Sequence, residues 1–197
     1  MERRIKVLCK KAKKADKEAA CELLKIYYAD VYAYLRRLCG NNHDAEDLTQ
    51  KTFLKAWSSL GGFAGRSKFS TWLYRIAHNT YLDLLRKNNV GTQSCPEQWW
   101  YECIDENPGP LANLAERQLA MRLYEAVDKL DEDKKHVVHL HYYQGLSLRE
   151  TAKVLNIATS TVKYRLREVL KNLRIKLGGE TEFEQKQTIP IAKGESI

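Results

Sequence analysis

Residues 142–174 read YYQGLSLRETAKVLNIATSTVKYRLREVLKNLR, and their pattern decides the architecture of the C-terminal third. Gly145 ends an apolar helical pattern made by Val137, Val138, Leu140 and Tyr143. Ser147 and Glu150 then give the S-x-x-E spacing of a capping box, in which a hydroxyl serves the third helical amide and a carboxylate returns to the cap's own amide. A short helix is predicted from there through Leu155. Asn156 follows where the chain must turn sharply, and Asn is second only to Gly in tolerating the left-handed backbone such a turn needs. A second helix is predicted to open near Thr159. On it Val162, Leu166, Val169, Leu170, Leu173 and Leu177 share one stripe, while Ser160, Thr161, Tyr164, Arg167, Glu168 and Lys171 project from the far side. Lys163 and Arg165 flank that outward face. Two helices about a tight turn form a helix-turn-helix. Short hydroxyl side chains at the start of the second helix permit close approach to a major groove, and Arg and Lys reach guanine edges or phosphates.

Charge distribution agrees with a polyanion partner. The formal net charge is +8, and it is concentrated: residues 1–17 carry eight basic and two acidic groups, as do residues 146–177. Residues 88–110 hold four acids and neither Lys nor Arg. Positive charge clustered at two places is the pattern of a protein touching a nucleic acid at defined sites, although the N-terminal run reads equally as the solvated face of a Lys-rich helix.

Apolar residues recur at helical spacing from about Ala19 to Leu85 and from about Leu111 to Leu177, with no convincing alternation of a strand, so the expected class is all-α. Between them lies NNVGTQSCPEQWWYECIDENPGP, which is rich in turn formers and contains three of the four prolines. It reads as a linker with Trp99, Trp100 and Tyr101 docked on a domain surface. The expected organisation is therefore two small helical domains, 1–87 and 111–177, a flexible linker at 88–110, and a mobile polar tail at 178–197.

In the N-terminal half, NHDAEDLTQKTFLKAW puts acids in the first turn of a helix, where they complement its dipole. Ala45, Leu48, Thr52, Phe53 and Trp57 are expected to pack inward, leaving Asp44, Asp47, Gln50, Lys51 and Leu54 outward. The next stretch, GGFAGRSKFS, has three glycines in five residues and reads as a flexible loop. A helix from about Lys68 to Lys87 follows, with Phe69, Trp72, Leu73, Ile76, Ala77, Leu84 and Leu85 on its apolar stripe and Tyr74, Arg75, His78, Asn79, Arg86 and Lys87 elsewhere. Aromatic, amide and basic groups beside a glycine-rich loop match what an unstacked single-stranded base requires; an aromatic stripe that is merely core is the plain alternative.

Other classes find little support. No apolar run is long enough to span a bilayer, and the N-terminus has no signal-peptide stretch, so a cytoplasmic chain without membrane insertion is expected. The five cysteines are odd in number and irregularly spaced, which suits reduced thiols, and Cys95 and Cys103 match no common zinc spacing. His136, His139 and His141 do not share one helical face, and half-buried packing fits them better than a metal. No nucleophile with its base, P-loop or dinucleotide fingerprint is present, so neither an enzyme nor a cofactor is expected.

Taken in order, DAEDLTQKTFLKAW, FAGRSKFSTWLYRIAHNTYLDLLRK and YYQGLSLRETAKVLNIATSTVKYRLREVLKNLR resemble the extracytoplasmic-function (ECF) group of bacterial sigma factors over residues 18–87 and 111–177. The resemblance implies a promoter-specificity subunit whose partners are RNA polymerase core, promoter DNA and, in many members, an anti-sigma factor. It places core binding on Asp47, Gln50 and Leu54. It places opening of the −10 element and capture of a flipped base on Phe63, Arg66, Lys68 and Asn79. Reading of the −35 element falls to Ser160, Thr161, Lys163, Tyr164, Arg165 and Arg167, with Lys171 farther along the same helix at the DNA backbone. Asn156 and Ala158 stand where the family often has Gly and a capping Ser, and Tyr164 and Glu168 where it often has small or basic residues. A regulator using the same motif without polymerase is the rival reading, and it lacks any sensing-domain pattern.

Overall fold

The computed structural model describes residues 2–88 and 122–177, and among these every regular element is helical. The expected all-α class is the observed one. The linker from Asn89 onward, with Trp99, Trp100, Tyr101, Cys95 and Cys103, and the tail lie outside the described residues.

Four helices build the N-terminal domain: α1 (Glu2–Ala12), α2 (Lys17–Cys39), α3 (Asn42–Ser59) and α4 (Phe69–Asn88). Local chemistry sets their ends. Asp16 caps α2 by accepting from the Ala19 amide at 3.1 Å, and Asn41 caps α3 by accepting from the Asp44 amide at 2.8 Å. Gly40, at φ 74°, closes α2 in the left-handed region that a side chain would resist. The basic N-terminal run forms α1, which buries Ile5, Leu8, Cys9 and Ala12 against α2 and turns its lysines to solvent. Val31, Tyr34, Leu35, Leu48, Leu73, Ala77 and Tyr81 fill the core.

The C-terminal domain contains helical turns over 122–128, then α5 (Glu132–Val138), α6 (Leu148–Leu155) and α7 (Thr159–Leu177). Between α5 and α6 the chain widens into a π turn, His139–Tyr143, with the Gln144 amide bonded to the His139 carbonyl at 3.0 Å. That widening seats Leu140, fully buried, and Leu146 in the apolar cluster of the N-terminal domain, together with Val154 of α6. The domain's own clusters are separate: Val127, Leu130, Val138 and Val169 in one, Val137, Ala152, Val162 and Leu166 in the other.

The two expected domains are thus recognisable, but they are packed on each other. α4 lies against α6, and the π turn lies against α2. Three histidines sit in this region. His78, His136 and His139 are all buried, and the His78 and His136 rings meet edge-on with centroids 4.7 Å apart. The His78 ring also lies 3.2 Å from the Tyr34 hydroxyl. Burial penalises the imidazolium and lowers His78 to about 4. His136 and His139 fall to about 3, again chiefly by burial, with the charges of Lys135 and Arg165 around the first and of Arg37 and Lys135 around the second adding to it.

A pH dependence follows from the sign of these shifts. The unfolded chain takes up protons near the ordinary histidine value of 6.5, while the folded chain does not until about 4 or below. Stability is therefore full above the unfolded value of 6.5 and is lost as pH falls from there toward the folded values, at about 1.4 kcal/mol per pH unit for each imidazole involved. Urea unfolding between about pH 7.5 and 5 should show a falling midpoint. A midpoint that stays constant over this range would contradict the burial of neutral imidazoles.

Candidate nucleic-acid interface

The capping box sits where the sequence placed it. Ser147 Oγ accepts from the Glu150 amide at 3.3 Å, and Glu150 Oε2 accepts from the Ser147 amide at 2.9 Å and from its hydroxyl at 2.8 Å. Asn156 adopts φ 56°, ψ 43°, the left-handed turn, and the Ile157 amide closes onto the Ala152 carbonyl at 3.1 Å. α7 then leaves at an angle fixed by Val162 and Leu166 packing on Val137 and Ala152. Ser160, Lys163, Tyr164, Arg167 and Lys171 are exposed along its outer side, and Thr161 is half-buried at its edge. Tyr164 is 62% exposed, a large aromatic ring presented to solvent in the middle of a basic face.

Two residues depart from the expected arrangement of this helix. Leu170 is exposed rather than on the buried stripe, because eight residues beyond Val162 it has rotated roughly 80° from it. Arg165 is not a free cation at the groove: its guanidinium lies 2.5 Å from Asp133 at the start of α5 and ties the two helices together.

On α3, Gln50 and Leu54 face solvent, Leu54 at 70% exposure, and Asp47 is half-exposed with Lys51 as its partner one turn on. Trp57, expected inside, is 44% exposed and extends this outward surface, while Phe53 is half-buried against Tyr28, ring centroids 6.1 Å apart. An exposed Leu and Trp one turn apart beside a carboxylate and an amide form a compact amphipathic patch suited to a protein partner.

The glycine-rich segment is more ordered than its composition implies. Leu60–Gly62 forms a 3-10 turn, and Phe63 after it is buried against Phe69 and Trp72, centroids 5.8 and 5.0 Å away. Lys13 donates to the Phe63 carbonyl and lies over its ring. Phe63 is therefore an anchor under the loop and not a surface on which a base can stack, contrary to expectation. Arg66 and Lys68 are exposed beyond it, and Arg75 and Asn79 are exposed one turn apart on α4. Lys68 Nζ lies 3.0 Å from Glu150 Oε1 of the capping box. Tyr74 and His78, read from the sequence as lying off the apolar stripe, are both buried by the C-terminal domain. The sequence did carry a signal for them: with Tyr81 they form a second, aromatic stripe three to four residues apart. The loop, α4 and α7 together thus present two separate sets of cationic and amide groups.

Two family models match the chain: Sigma-70 region 2 over residues 23–90 and Sigma-70, region 4 over residues 120–173. The ECF RNA polymerase sigma factor SigW of Bacillus subtilis (strain 168) is 32% identical, an alignment covering 90% of this chain and 98% of that protein. The chain belongs to the ECF group of the sigma-70 family. SigX of the same organism is 31% identical over 77% of this chain and 80% of its own length. The fold of this sigma factor is also that of CnrH, solved with the cytosolic domain of CnrY, at a TM-score of 0.63 and 24% identity over 86% of this chain and 94% of that one. Membership makes it a promoter-directing subunit that acts with RNA polymerase.

The contrast between Arg165 and Arg167 can be measured with holoenzyme on −35 duplexes. Arg167→Ala should cost about 1–3 kcal/mol and relax preference at one or two base pairs. Arg165→Ala should leave that preference unchanged, because its guanidinium is already held by Asp133. Equal loss of base preference in both variants would show that Arg165 leaves Asp133 to read DNA.

Proposed function

We propose that this sigma factor divides its work between residues 1–87, which bind polymerase core and open the −10 element, and residues 111–177, which read the −35 element. The observation that carries the reading is the outer side of α7, where Lys163, Tyr164, Arg167 and Lys171 stand exposed on a helix locked by the capping box and the Asn156 turn. Ser160 and Thr161 allow the first turn to approach base edges, and Lys171, about three turns on, meets phosphate. Core binding uses Gln50 and Leu54, with Asp47 beside them and Trp57 added by its exposure. Single-strand capture uses Arg66, Lys68 and Asn79, to which the exposed Arg75 belongs by position, while Phe63 supports the loop from below.

The protein acts as a non-enzymatic initiation factor in the cytoplasm, and no described helix is long and apolar enough to cross a membrane. Regulation by an anti-sigma factor is proposed on the basis of the relatives, since CnrH was solved with CnrY and a Bartonella quintana RpoE with the anti-sigma factor NepR. A regulator independent of polymerase would bind its duplex tightly alone; two small reading units whose relative placement must first be matched to a promoter lose affinity when free.

Leu54→Asp puts a carboxylate at the centre of the α3 patch without touching the core. It should weaken capture of core polymerase at least tenfold while circular dichroism stays helical; undiminished capture would move the interface elsewhere. Asn79→Ala and Arg66→Ala should impair opening more than initial duplex binding, since each contact to an unstacked base is worth about 1–3 kcal/mol. Permanganate reactivity of −10 thymines reads this directly. Thymine reactivity equal to wild type in both variants would remove these residues from strand opening.

A further inference from the structure

Helix α1 lies outside the stretch matched by the Sigma-70 region 2 model, which begins at residue 23, yet it is an integral part of the N-terminal domain. Ile5, Leu8, Cys9 and Ala12 are buried in the same apolar cluster as Phe63 and Phe69. With its apolar stripe spent there, α1 has no face left to sink into a lipid surface, so its charge needs a different partner.

One flank of α1 is a basic row. Arg3, Lys6, Lys10 and Lys13 follow at spacings of three, four and three. At 100° per residue this keeps them within an arc of about 80° over about 15 Å of helix. All four are exposed. Lys6 approaches Glu2 at 3.8 Å, a pair exposed on both sides and therefore weak. Arg3 and Lys10 make no ion pair among the described residues. Arg4, on the opposite flank, is paired with Glu22 of α2. The end of the row is fixed in place: Lys13 donates to the Phe63 carbonyl and lies over the Phe63 ring, 5.7 Å from its centroid. Ala15 then takes a left-handed φ of 63°, uncommon for a residue with a side chain, and turns the chain toward α2.

The row thus leads to the glycine-rich segment. A Cβ at Gly61 or Gly62 would meet nothing within 4 Å, and neither residue has the positive φ that would itself call for glycine. Internal packing and backbone geometry give no reason for two successive glycines there. A bare backbone open to close approach by a ligand does. Cations stand on both sides of it in the chain's path: the α1 row ends at Phe63, and the exposed Arg66 and Lys68 come after.

We propose that Arg3, Lys6 and Lys10 form a phosphate rail, which holds the sugar-phosphate backbone of the opened promoter strand to one side of the −10 base. The inference rests on the proposed capture of that strand by Arg66, Lys68 and Asn79. An extended single strand presents a line of phosphates, and the α1 flank presents a line of flexible cations without aromatic or amide groups to read bases. Contacts of this kind supply affinity without sequence preference and weaken steeply with salt.

The test uses holoenzyme assembled with the wild-type chain or with one carrying Arg3→Gln, Lys6→Gln and Lys10→Gln together. Glutamine keeps the helix propensity, so circular dichroism and capture of core polymerase should match wild type. Binding is measured at several salt concentrations to a single strand confined to the −10 element and to strands extended by about six nucleotides at the 5′ or the 3′ end. In wild type one extension should strengthen binding and steepen its salt dependence. The triple variant should lose that gain, its log–log salt slope falling by about two units at about 0.7 per phosphate, while the −10-only strand binds within about twofold of wild type. No gain from either extension in wild type, or a gain that the triple variant keeps, would overturn the rail. Equal losses on all three strands would overturn it too, by showing only a general positive field, as would weakened capture of core polymerase with strand binding unchanged. Failure of the capture reading shows separately, as Asn79→Ala binding the −10-only strand as well as wild type does.

Discussion

Burial of Leu140 and its neighbouring imidazoles where α5 and the π turn meet the N-terminal domain is the contact on which the arrangement of this sigma factor depends. Neither domain is large. The N-terminal helices close their own core, but the C-terminal helices divide theirs into two small clusters on either side of α5. The π turn resolves this by rotating one further residue out of the α-helical register, which sends Leu140 into the neighbouring domain while Val137 and Val138 stay in their own.

Polar groups around this contact are neutral or paired. Tyr74 bonds Gln144, Lys68 meets Glu150, and the histidines hold their neutral forms because burial makes the charged form too costly. The result is a contact that is stable at neutral pH yet carries unpaired polar atoms among the described residues.

Function and fold share residues in the helix-turn-helix. Glu150 closes the capping box, which sets the start of α6 and hence the angle at which α7 presents Arg167. The same carboxylate, below its ordinary value because the Ser147 bonds and Lys68 stabilise its charge against partial burial, also holds the loop of the other domain. Arg165 shows a related economy: a base in the reading helix spends its charge on Asp133 and braces α5 against α7, leaving recognition to Arg167, Lys163 and Tyr164.

Local rules were enough to place the helices, the Ser147–Glu150 cap, the Asn156 turn and the outward bases of α7, because each depends on residues within about four positions of one another. The family itself was legible for the same reason, being carried by contiguous motifs. What the sequence alone left undecided lies in contacts tens of residues apart. Phe63 looked like a loop residue until Phe69, Trp72 and Lys13 closed over it. Tyr74 and His78 looked solvent-facing because helical periodicity registers one apolar stripe, and α4 has two, the second meaningful only once α5 and α6 lie across it. Trp57 was read inward by its hydrophobicity, yet among the described residues no element covers that turn of α3. Burial is decided by which surfaces meet, and that depends on tertiary packing which no local pattern specifies.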